Sequence, residues 1–141
     1  MSDEVIARIC EIPEIYRRSG YRAMIAAVNE AGYRSGSRKV SEAEIAAYLR
    51  GHPHLVQEWL GYSEDQRSSP NWYLSPPGGG LNRLGSWRVG WYAARDRPPE
   101  KEFPDQFEAA AFFAMRKVEE HFEGWLGRRR ARLAAIARLT E

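Results

Sequence analysis

Residues 71–93 read NWYLSPPGGGLNRLGSWRVGWYA, and this stretch decides the fold. Asn71–Ser75 and Ser86–Ala93 are rich in aromatic and β-branched side chains, which suit a pleated, half-buried surface. Between them Pro76-Pro77-Gly78-Gly79-Gly80 is a strong breaker, so the spacing predicts two antiparallel strands joined by a long flexible connection. In the second strand Trp87, Val89 and Trp91 fall on one face and Arg88, Gly90 and Tyr92 on the other. This period of two implies one buried side. Asp96–Pro99 turns the chain, and Glu100–Phe103 supplies a third short strand.

Helical periodicity flanks this sheet on both sides. Val5, Ile6, Ile9 and Ile12 repeat at helical spacing from Asp3 onward, and Pro13 kinks or restarts that helix. Tyr21, Met24, Ile25 and Val28 mark a second helix closed by Gly32. Ser41 and Glu44 form an S-x-x-E capping box ahead of Ile45, Tyr48 and Leu49. Pro53 then opens a helix whose inner face is Leu55, Val56, Trp59, Leu60 and Tyr62. Beyond the sheet, Asp105 and Glu108 repeat the capping pattern, and Phe107, Ala110, Ala111, Ala114, Val118, Phe122 and Trp125 keep helical spacing for five turns. Alanines at the contact positions would let this helix lie close to the sheet. A last amphipathic stretch, Arg128–Thr140, carries Leu133, Ile136, Ala137 and Leu139 on its apolar side.

The predicted architecture is α+β: short N-terminal helices packed with a small antiparallel sheet of two or three strands, then a long C-terminal helical segment. One domain is expected over 1–141, divided into a helical half (1–67), the sheet (68–103) and C-terminal helices (104–141). A chain of 141 residues with 43% hydrophobic and 12% aromatic residues has the material for one core, and its 28% charged residues can cover it.

Charge is unevenly placed. Residues 1–67 hold nine Lys or Arg against ten Asp or Glu, and residues 68–127 hold seven against eight. The last fourteen residues hold five Arg against one acid, so the net charge of +2 comes from that terminal segment. A nucleic-acid footprint spread over a face is not described by this distribution. Arg128, Arg129, Arg130 and Arg132 leave two readings open, a phosphate-contacting arm or a solvated helix face. The apolar side of the same segment must bury itself against the domain or against a second chain, which would make a homodimer.

Cys10, the lone cysteine, lies in an apolar helical stripe and reads as a buried inert thiol. His52, His54 and His121 follow no zinc-ligand spacing, and no metal site or cofactor is expected. Neither a nucleophile elbow nor a phosphate-binding loop occurs, since the Pro76–Gly80 glycines lack the following lysine and hydroxyl residue. The expectation is therefore a chain without catalytic residues. An acidic N-terminal start and the lack of an apolar run approaching the roughly 18 residues of a membrane span point to a cytoplasmic address.

The most unusual passage runs from Tyr62 to Tyr73, YSEDQRSSPNWY, at the junction between helices and sheet. Tyr62, Glu64, Asp65, Arg67, Trp72 and Tyr73 there combine aromatic and charged groups of the kind that anchor protein interfaces. The plainer account is a helix end running into a strand, with Trp72 in the core. Taken with SEAEIAAYL, LVQEWLGYSEDQRSSPNWY, WRVGWY and FPDQFEAAAFFA, residues 41–122 resemble small bacterial immunity proteins of contact-dependent and other polymorphic toxin systems. The resemblance implies a cytoplasmic inhibitor that binds a cognate toxin domain; the 62–73 junction, by its residue types, is the candidate contact surface for such a partner. The one strongly charged segment being basic argues against a basic nuclease as that toxin.

Overall fold

The computed structural model describes residues 4–33, 40–65, 71–78, 85–92 and 100–122. Among these residues six helices and one three-stranded sheet appear: α1 (Glu4–Cys10), α2 (Ile12–Ser19), α3 (Tyr21–Glu30), α4 (Glu42–Gly51), α5 (His54–Asp65), β1 (Asn71–Ser75), β2 (Trp87–Tyr92), β3 (Lys101–Phe103) and α6 (Gln106–Phe122). The α+β class and the third strand follow the sequence reading. Residues 123–141, including Trp125 and the terminal amphipathic stretch, lie outside the described residues.

Local chemistry sets the element ends. Pro13 sits in the first turn of α2, where a missing amide costs no hydrogen bond, so the chain restarts after Cys10. Gly20 links α2 to α3 at φ 88°, and Gly32 follows α3 at φ 117°, both in the left-handed region that favours glycine. The Ser41 hydroxyl accepts from the Glu44 amide at 3.1 Å while the Glu44 carboxylate accepts from the Ser41 amide at 3.0 Å, completing the predicted box. At α6, Asp105 Oδ1 accepts from the Phe107 amide at 2.7 Å. The Glu108 carboxylate lies 3.8 Å from Arg50 Nη2, an ion pair between α6 and α4.

The sheet is an antiparallel meander in the order β1-β2-β3. Its register places Trp72 opposite Trp91, Leu74 opposite Val89 and Trp87 opposite Phe103, all on the side covered by α6. Trp72 and Phe103 meet Phe112 of α6 with ring centroids 6.0 and 5.4 Å apart. Ala109, Ala110, Ala111 and Ala114 are all buried, and α6 touches both the sheet and α4. Small side chains on opposite flanks of one helix permit both contacts. The expectation of a single buried sheet side needs correction: Tyr73 and Gly90, on the other side, are buried too. Tyr73 folds flat over the space that Gly90 leaves, and its hydroxyl donates to Glu100.

One cluster joins the buried side chains of every described element, from Ile9 and Ile12 through Met24, Leu49 and Trp59 to Trp72, Val89, Phe103 and Phe113. The Trp59 indole donates to the Cys10 carbonyl at 3.1 Å, tying α5 to the break between α1 and α2. That bond satisfies a carbonyl that the interrupted helix would otherwise leave bare inside the core.

Candidate docking surface

The three aromatic residues of the junction are buried, as the plainer account has it for Trp72, and this corrects the alternative in which they form a docking surface. Trp72 is fully buried, Tyr62 is 3% exposed and Tyr73 is 9% exposed. Tyr62 stands at the fourth position of the 55, 56, 59, 62 stripe that α5 turns to the core, and Trp72 shares a strand face with Leu74. Their large apolar area favours the core over water by several times the contribution of a surface contact. Helical spacing already puts Tyr62 on the inner face of its helix, and strand alternation sets Trp72 with Leu74; Tyr73, on the opposite sheet side, is buried through the space beside Gly90, which no periodicity signals. Glu64 and Asp65 are exposed at the end of α5. Arg67, and likewise Arg128, Arg129, Arg130 and Arg132, lie outside the described residues.

Backbone groups at the outer edge of β1 are taken by side chains. Ser63 Oγ accepts from the Leu74 amide at 2.8 Å and donates to the Leu74 carbonyl at 3.3 Å. Asn71 Oδ1 accepts from the Trp72 amide at 2.9 Å. An added strand would have to displace both, so β1 is protected against edge-to-edge pairing. The other edge strand, β3, is three residues long and carries Lys101 and Glu102. Arg88 of β2 bridges two carboxylates there, at 3.0 Å to Glu100 and 2.9 Å to Glu102.

Titratable groups gather in one interior place, between α5, α6 and β1. Tyr62 Oη lies 2.8 Å from His121 Nε2, and the buried Lys117 ammonium donates to Asn71 Oδ1 and lies 3.5 Å from Glu120. Burial, aided by the Lys117 charge, pulls the His121 imidazole down to about 4, and burial pushes the Tyr62 phenol up. Tyr62 Oη and His121 Nε2 thus share one hydrogen bond between two uncharged groups, with the donor set by the imidazole tautomer. Burial also lowers the Lys117 ammonium, partly offset by Glu120. Cys10 is raised to about 12 by burial and the nearby Glu11 carboxylate, the setting of an unreactive thiol. Among the described residues no three His, Cys, Asp or Glu side chains converge as metal ligands.

Among the described residues, open relief lies on both flanks of α4. Ala43, Ala47 and Gly51 of α4 are exposed at i, i+4 and i+8, forming a low ridge. Toward α1 lies an open groove of about 780 Å³, with Ile6, Ala7, Ala47 and Tyr48 beside Glu4, Arg8, Glu11 and Glu44. Toward α6 and β3 a smaller one of about 280 Å³ is lined by Ala43, Ala46, Phe103 and Ala111 with Glu42, Arg50 and Glu108. Each arginine here is shared between two acids. Arg8 meets Glu11 at 2.6 Å and Glu4 at 3.5 Å, Arg50 meets Asp105 at 2.7 Å and Glu108 at 3.8 Å, and Arg116 meets Glu119 at 2.6 Å and Glu42 at 3.0 Å. Such sharing fixes the rims while leaving carboxylates in excess of the arginines that bridge them. The described residues together hold fifteen Asp or Glu against nine Lys or Arg, and the remaining segments four against twelve. Compared with protein-family models, with curated proteins and with solved structures, the chain matches none.

Proposed function

We propose that this chain is a non-enzymatic protein-binding module that receives its partner across α4. The observation that carries this reading is the ridge of Ala43, Ala47 and Gly51 between two open grooves with apolar floors and charged rims. A ridge flanked by grooves is the relief into which another helix or loop interdigitates, and small side chains allow a close approach. Apolar floors such as Ile6, Tyr48 and Phe103 supply affinity, and the Arg8 and Arg50 ion-pair rims supply orientation and partner choice. The closed β1 edge directs binding to helices rather than to strand addition.

The biological role that suits such a module is a cytoplasmic immunity protein that neutralises a cognate toxin domain. That role draws on the sequence resemblance over residues 41–122 and requires only a surface, without chemistry of its own. Nucleic-acid binding through Arg128, Arg129, Arg130 and Arg132 is the competing role. The acid excess of the described residues weighs against it, since they would repel a phosphate backbone.

The test is affinity capture on the immobilised full chain at low salt, run in parallel with Ala47→Trp, which fills the larger groove from an exposed position. One protein retained in stoichiometric amount by the wild type and lost from the variant is the expected result. A wild-type column that holds no stoichiometric protein, or a partner held equally by both columns, overturns the α4 reading.

A further inference from the structure

His121 occupies the penultimate described position of α6 and is held from several sides. Tyr62 Oη of α5 lies within hydrogen-bond distance of its Nε2 at 2.8 Å, and Tyr21 of α3 lies edge-on to its ring with centroids 5.5 Å apart. Lys117 stands one turn back on α6, and the next residue, Phe122, packs edge-on against Tyr33 at 5.3 Å. Among the described residues the titratable groups around this cluster are Tyr16 of α2, Tyr21 of α3, Tyr33 just beyond α3, Tyr62 of α5, and Lys117 and Glu120 of α6. Asn71 of β1 contributes a neutral amide. Glu120 is the one carboxylate in that set, and it already faces Lys117.

We propose that His121 is an acid-sensitive latch, holding the end of α6 against α3 and α5 while neutral and releasing it when protonated, ahead of the unfolding of the core. Protonation leaves both ring nitrogens as donors, so neither can accept the Tyr62 hydroxyl proton. It also sets a second cation one helical turn from the fully buried Lys117 ammonium. The neighbouring elements have other anchors. Trp59, Trp72 and Phe113 are fully buried and anchored elsewhere, Trp59 on the Cys10 carbonyl, Phe113 on Trp59 and Trp72 on Phe112, so they can stay packed while the last turn of α6 lifts. The neutral form dominates at pH 7, in keeping with a midpoint of about 4. Release is independent of the α4 surface and stands whether or not that face binds a partner.

Proton NMR of the full chain from pH 7 downward tests this. The expected result is loss of the Tyr62–His121, Tyr21–His121 and Tyr33–Phe122 ring contacts near the pH at which His121 titrates, with the Trp59 and Trp72 contacts intact. His121→Phe, which keeps an uncharged ring, should retain the Tyr33–Phe122 contact through that range. Lys117→Met should move the midpoint toward higher pH. Loss of all contacts in one transition, a His121 that titrates with the Tyr62 contact unchanged, or the same release in His121→Phe would each overturn the latch.

Discussion

The Tyr73 ring lies across its cross-strand partner Gly90, so closely that a Cβ at position 90 would stand 2.6 Å from Tyr73 Cζ. Gly90 is therefore the condition for burying Tyr73 and for aiming its hydroxyl at Glu100. Gly90→Ala should destabilise the fold by about 1–3 kcal/mol through overpacking. In a Tyr73→Ala background the same change should cost much less, because the obstructing ring is gone. Urea denaturation of the two single variants and the double variant measures the coupling.

Ser63 supplies both hydrogen bonds to the outer edge of β1 at Leu74. Ser63→Ala leaves a buried amide and carbonyl without that partner, at a cost of about 1–3 kcal/mol. Amide exchange at Leu74 should accelerate more than at Tyr73, which turns its backbone to β2. Equal acceleration at both positions would show that Ser63 acts through packing alone.

Stability as a whole should depend on pH through His121. Its folded value of about 4 lies below the ordinary value of 6.5, so below pH 6.5 the unfolded chain takes up a proton that the folded chain refuses. Its contribution is complete above pH 6.5 and is lost as pH falls toward about 4, by about 3 kcal/mol in total. Unfolding free energies of the wild type and His121→Phe, compared across pH 7 to 4, should converge with that slope. A parallel pair of curves would remove His121 as the cause.

Cys10 is fully buried and its thiol is raised to about 12. Ellman's reagent at pH 8 should leave the native chain unlabelled on the timescale of folding stability and label it fully in denaturant. Rapid labelling without denaturant would mean that α1 opens locally.

Much of this fold can be argued from patterns of three to seven residues. The capping box at Ser41, the restart at Pro13, the strand alternation around Val89 and the α6 stripe from Phe107 to Phe122 each arise from neighbours along the chain, so the sequence carries them without knowledge of the rest. The proposed docking surface was not legible in the same way. The 62–73 passage looked adhesive because aromatic and charged residues stand together in sequence, yet periodicity turns Tyr62 and Trp72 inward, the space beside Gly90 lets Tyr73 bury on the other sheet side, and Glu64 and Asp65 stay outside.

The sequence by itself determined the kind and order of the elements, because helix and strand preferences, caps and breakers act over one or two turns of chain. Only the tertiary structure decided what those elements present to one another. Ser63 meets β1, Arg50 meets Asp105, and Tyr62 meets His121 across separations of 11, 55 and 59 residues. Contacts of that range depend on how whole elements settle against a shared core, and no local pattern of residues encodes them.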